Sequence, residues 1–150
     1  MKNIIYAFGF LITLILLTSF GYQKKKINCP LTVEVSGLRN SKGVVQFALY
    51  HTRDAFPDED YKKYYRKRTA KIVDGFSTVT FENLPSGKYA VNILHDEDEN
   101  GRIKKGMVLP KEGVGFSNYK SIGIFNKPDF SKAGIVLRLD TTVQVEVIYM

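Results

Sequence analysis

The stretch Phe81-Glu82-Asn83-Leu84-Pro85-Ser86-Gly87-Lys88-Tyr89-Ala90-Val91 decides how this chain folds. Apolar residues run into Pro85 and out of Gly87, two residue types that reverse a chain at low conformational cost, so the segment predicts two strands joined by a tight turn. Past the turn, Tyr89, Val91 and Ile93 alternate with Ala90, Asn92 and Leu94, the period-2 pattern of a half-buried strand.

Working outward, Phe76 to Phe81 supplies the strand before the turn. Leu31 to Val35 and Val44 to Tyr50 form an earlier pair joined by a glycine-bounded loop. Ser121 to Phe125, Ala133 to Leu139 and Val143 to Tyr149 follow later. Thr52 to Lys71 breaks the alternation: Pro57 and three acids precede a basic run, the order a helix dipole favours, which predicts a short helical insertion near residues 57–68. On that helix Tyr61, Tyr64, Tyr65 and Arg68 would share a face. They would pack on the edge of the sandwich or, with the nearby lysines, meet a polyanion. The fold class is therefore all-β: one antiparallel β-sandwich of about seven strands over residues 31–150.

Composition agrees. The 150 residues are 44% apolar and 25% charged, with nine Tyr, ten Phe and no Trp, enough for one domain with a real core. The net charge of +7 is spread along the chain and does not call for nucleic acid. Lys2 precedes an apolar run from Ile4 to Leu17, followed by small residues at Ser19 and Gly21, so residues 1–21 read as a cleaved export signal and residues 22–30 as a linker. An uncleaved anchor is the rival, since the run is close to the lower limit of about 17 residues for a membrane span. With the signal removed, 21 basic residues face 15 acidic ones, a balance of +6, and no membrane span remains. Cys29 is the only cysteine, so no internal disulfide forms.

The chemistry is concentrated after the central strand, in His95-Asp96-Glu97-Asp98-Glu99-Asn100-Gly101-Arg102-Ile103. Asp96, Asp98 and Asn100 stand at positions 1, 3 and 5 of a calcium loop, Gly101 at the turn and the Arg102 carbonyl at position 7. The second half of the pattern fails, because Lys104 and Met107 bring no side-chain oxygen where further ligands belong. Glu112, Glu97 or Glu99 would complete the shell. The competing reading is a metal-free acidic bend, in which Asp and Asn bond their own backbone. Four consecutive acids in a basic protein favour an ion, and Ca2+ is the cofactor expected. Beyond the loop, the glycines of Gly113-Val114-Gly115-Phe116-Ser117-Asn118 predict a lid over the sheet end. Phe116 would be its plug, with Ser117 and Asn118 bonding the returning chain and His95 beside it.

Phe81-x-x-Leu84-Pro85-x-Gly87-x-Tyr89 is similar to the turn of transthyretin-like and carboxypeptidase-regulatory-like sandwiches, in which the Leu and Tyr plug the core. Together with His95-Asp96, Asn100-Gly101 and Pro110-x-Glu112-Gly113-x-Gly115-Phe116-Ser117-Asn118, the chain from Leu31 to Tyr149 resembles the bacterial exported family known as domain of unknown function 2141. The resemblance implies a secreted or periplasmic β-sandwich with no established activity. The chain departs from the family's usual pattern at Lys104 and at Val108-Leu109.

No Gly-x-Ser-x-Gly or His-Glu-x-x-His motif accompanies His51 and His95, so catalysis is not expected. Three functions are weighed. The first is a noncatalytic module that binds an envelope protein or a glycan. The second is a small-ligand carrier with an apolar cavity beneath Phe116 and Tyr89. The third is an enzyme built on His95.

Overall fold

A computed structural model describes residues 28–103 and 111–150. The expected export signal, most of the linker, and Lys104, Met107 and Val108-Leu109 lie outside them. Eight strands are described: β1 (Asn28–Ser36), β2 (Val44–Tyr50), β3 (Arg66–Ala70), β4 (Ser77–Pro85), β5 (Gly87–Asp96), β6 (Gly113–Phe116), β7 (Ile135–Leu137) and β8 (Thr141–Glu146). A 3-10 turn spans Arg53–Ala55, and the short helix α1 spans Phe130–Ala133.

The strands form two sheets facing each other. One has the order β4-β1-β8 and the other β3-β2-β5-β6, with β7 also on β5. Tyr89, Val91 and Ile93 of β5 meet Leu31, Val33 and Val35 of β1 in the core between them. The turn at Pro85 to Gly87 works as the sequence implies: Leu84 is fully buried, and the Tyr89 hydroxyl donates to the Pro85 carbonyl at 2.7 Å. Two pairings depart from the plan: β1 and β8 run parallel with Val33 opposite Val143, and β1 and β2, expected to pair, lie in opposite sheets because β1 pairs with β4 and β8 while β2 pairs with β3 and β5.

β5 is not half-buried. Its residues from Tyr89 to Asp96 are buried on both faces, because a second apolar layer covers the outside of the larger sheet. Phe56, Tyr61, Phe116 and Tyr119 pack there on Ala48, Ala90 and Leu94, with the Phe56 and Phe116 rings edge to face at 5.8 Å. Alternation marks only residues that differ between faces, so it missed a strand covered twice.

Three expected elements are replaced. No helix forms at 57–68, because the buried Asp58 carboxylate takes the amide protons of Lys62 and Lys63, and Tyr61 adopts φ 51, outside the right-handed helical region. Arg66–Ala70 becomes strand β3 on the edge of β2, while Tyr64 and Tyr65 stay partly exposed. Ser121 to Phe125 is a tight turn closed by Gly123 and Asn126, and the segment expected as a lid is strand β6.

Strand β6 fits only because of its glycines. A Cβ on Gly113 would come within 2.3 Å of a Val147 methyl, and one on Gly115 within 2.8 Å of the Glu146 carbonyl. Without side chains there, β6 lies against the end of β8 and turns Val114 and Phe116 into the outer layer.

Candidate metal centre

The end of β5 is fixed from the inside by His95. The imidazole is fully buried, with Nδ1 2.6 Å from the Tyr149 hydroxyl and Nε2 3.0 Å from the Lys42 carbonyl. A carbonyl only accepts, so Nε2 carries a proton, and Nδ1 shares a second hydrogen bond with the Tyr149 hydroxyl. The Tyr149 oxygen in turn accepts from the Arg39 amide at 3.1 Å. His95 is therefore a fastener between the 37–43 loop and the C-terminal segment. With no exposed face, it offers nothing to a ligand.

Glu97 is also committed. Arg39 Nε and Nη2 donate to its two carboxylate oxygens at 2.7 and 2.9 Å, and the Asn40 amide adds a bond at 3.0 Å. The guanidinium, outweighing a smaller opposing effect of burial, pulls the Glu97 carboxyl down to about 2.

The other acids converge. Asp96 at the end of β5, Asp98 in the loop and Glu112 just before β6 bring one carboxylate oxygen each to within 4.8 Å of one another. Two oxygens on opposite sides of a calcium ion, each about 2.4 Å from it, would be separated by about 4.8 Å, so the spacing suits that ion. Asp96 and Glu112 are each 2% exposed, whereas Asp98 faces solvent. Asp96 accepts from the amides of Asn100 at 3.0 Å and Gly101 at 2.7 Å, and Glu112 accepts from the Glu97 amide at 3.1 Å. Each carboxylate oxygen has two lone pairs, so the Asx-type bend and an ion are compatible. The acidic-bend reading therefore correctly describes the backbone without excluding the ligand reading.

Gln46 was missed at the sequence level. It is 1% exposed and, among the described residues, its Nε2 has no hydrogen-bond partner. It lies on the same face of the sheet as Asp96, since Gln46 pairs with Leu94 and Val44 with Asp96. Its Oε1 lies 3.8 Å from the point a Cβ on Gly101 would occupy. The side chain thus borders the acid-rich loop through its oxygen, the atom type that a hard cation takes. The signal was a lone polar residue within Val44-Val45-Gln46-Phe47-Ala48-Leu49. Tyr61 lies nearby too: burial first, then Tyr50, Asp58, Asp96 and Glu112, push its phenol well above the usual range.

The Asn100 side-chain oxygen accepts from the Arg102 amide at 2.8 Å, and both residues are exposed. Phe116 ends β6, and Ser117 and Asn118 follow it. Phe116 is a plug as expected, in the outer layer. Ser117 Oγ accepts from the Val91 amide and donates to the Ala133 carbonyl, while Asn118 Nδ2 donates to the carbonyls of Lys132 and Gly134. Ser117 and Asn118 thus fasten α1 to the sheet. Among the described residues, Phe116 and Tyr89 share no apolar cavity, because the two rings pack in different layers on opposite faces of the sheet.

A family model described as an uncharacterized protein conserved in bacteria, DUF2141, matches residues 33–145. Two solved structures of a pilus-presented adhesin, Cpa, are similar at low level. The first has 16% identity and a TM-score of 0.26, covering 81% of this chain and 27% of that one. The second, a cysteine-to-alanine mutant, has 14% identity and a TM-score of 0.24, covering 83% and 28%. The chain thus spans little more than a quarter of the adhesin's length. A search of curated proteins finds no match.

Proposed function

We propose, from the premise that the chain belongs to the bacterial DUF2141 family, that it is an exported, noncatalytic β-sandwich module braced by one calcium ion at the end of β5. It would serve binding or structural support in the cell envelope or outside the cell. The observation that carries the ion is the convergence of Asp96, Asp98 and Glu112 from two separate segments, with two of the three carboxylates nearly sealed from water. Like charges gathered at low exposure repel one another, and a divalent cation turns that repulsion into attraction. Bound there, calcium would tie the 96–103 loop to the start of β6.

Export is supported by the apolar run and small residues of the first 21 positions. The noncatalytic reading is favoured over the enzyme because His95, although bonded to a second titratable group, is sealed. The carrier is disfavoured by the separation of Phe116 and Tyr89 into two packed layers.

A thermal melt of the full chain in calcium and in chelator tests the proposal. At about a hundredfold excess over the dissociation constant, an ion bound only to the native state adds about 2.7 kcal/mol. For a protein of this size that raises Tm by about 5–10 °C. The shift should vanish in Asp96→Asn/Glu112→Gln. Identical melts of the wild type in calcium and chelator would overturn the ion.

A further inference from the structure

Between β6 and α1 the chain makes a second excursion, ending in a two-residue turn with Ile124 and Phe125 at its tip. Ile124 is 82% exposed and Phe125 fully so. Such tips are ordinarily built from Gly, Asn, Asp or Ser, because a large apolar side chain held in water there gains nothing for the fold.

This tip is also held firmly. Gly123 and Asn126 exchange backbone hydrogen bonds, and Asn126 Nδ2 donates to the Ser121 carbonyl at 2.6 Å. At its base Tyr119 is 4% exposed, and its hydroxyl donates to the Lys127 carbonyl and accepts from the Asp129 amide. Ile122 packs on the outer apolar layer.

The charges along this segment are mainly positive. Lys120, Lys127 and Lys132 are exposed, and Lys132 Nζ reaches Asn126 Oδ1 at 2.7 Å, beside the tip. The single acid between Tyr119 and Gly134 is Asp129, whose carboxylate accepts from Ser131 and Lys132. An apolar point with a cationic collar is complementary to one kind of surface, in which anionic headgroups lie above hydrocarbon. The other exposed turn, Val73 to Phe76, lacks this pattern because Asp74 and Gly75 form its tip.

We propose that the Gly123–Asn126 turn is a membrane-docking wedge: Ile124 and Phe125 enter the interface of an anionic phospholipid membrane, while Lys120, Lys127 and Lys132 bind its headgroups. This does not depend on the calcium reading, since the wedge draws on none of those ligands.

The absence of Trp from the sequence makes the test local. In the exported chain, residues 22–150, Phe125→Trp carries one indole at the tip, and Val73→Trp carries one at the other turn. Phosphatidylcholine vesicles containing phosphatidylglycerol should shift the Phe125→Trp emission to the blue, with little effect in phosphatidylcholine alone or at high salt. Val73→Trp should not respond. Within Phe125→Trp, Lys127→Gln should raise the lipid concentration at half-saturation about fivefold, and Ile124→Ser about tenfold or more. An emission unmoved by anionic vesicles, or an equal shift for Val73→Trp, would overturn the proposal.

Discussion

The Tyr149 hydroxyl lies 2.6 Å from Nδ1 of His95, 54 positions earlier in the chain. Through this contact the last strand region, the start of the acidic loop and the 37–43 loop are held as one unit, since the same hydroxyl accepts from the Arg39 amide. Tyr149→Phe keeps the ring but leaves a fully buried imidazole nitrogen unpaired. Stability should fall by about 1–2 kcal/mol, read as a lower urea midpoint with an unchanged slope. An unchanged midpoint would show that this bond does not hold the three segments.

The Arg39–Glu97 pair makes stability depend on acid. The Glu97 carboxyl is held at about 2, below its ordinary 4.5. The pair is stabilising where Glu97 is ionised in the unfolded chain, and the contribution fades as pH falls from about 4.5 through about 2. Arg39 is 44% exposed, so the effect is limited to about 1 kcal/mol. Glu97→Gln should be less stable than the wild type at pH 7, and the two should converge near pH 2. A constant difference across that range would remove the pair as its cause.

Gly113 and Gly123 separate two reasons for a glycine. A Cβ on Gly113 would strike Val147 and the Tyr149 ring, whereas one on Gly123 would meet nothing within 4 Å. Gly113→Ala should cost about 1–3 kcal/mol by forcing β6 away from β8, and Gly123→Ala about 0.5 kcal/mol or less. Paired thermal melts decide it, and equal losses would refute the close approach of β6.

Asp58 organises the segment that the charge order suggested was a helix. Its carboxylate receives the amides of Lys62 and Lys63 while almost fully buried. Asp58→Ala should cost about 1–3 kcal/mol and free this loop. Trypsin should then cut after Lys62 or Lys63 before the rest of the domain opens. Unaltered cleavage would mean that the burial of Tyr61 alone holds the loop.

What was legible along the chain was whatever repeats locally. The alternation of β1, the apolar runs of β2, β4 and β5, the Pro85–Gly87 reversal and the spacing of Asp96 and Asp98 are short-range patterns, and they gave the sandwich and two of the carboxylates. Glu112 was named as a ligand, but nothing within Glu112-Gly113-Val114 says that it returns to Asp96. Only the pairing of His95 with Gly113 brings it there.

The sequence by itself determined the strands that show a wet and a dry face, because that contrast is written residue by residue. Tertiary structure alone decided the second apolar layer, the parallel β1–β8 pair and the burial of Gln46 beside the acidic loop. These depend on which surfaces meet, and a chain of residues carries no local mark of the partner that will cover it.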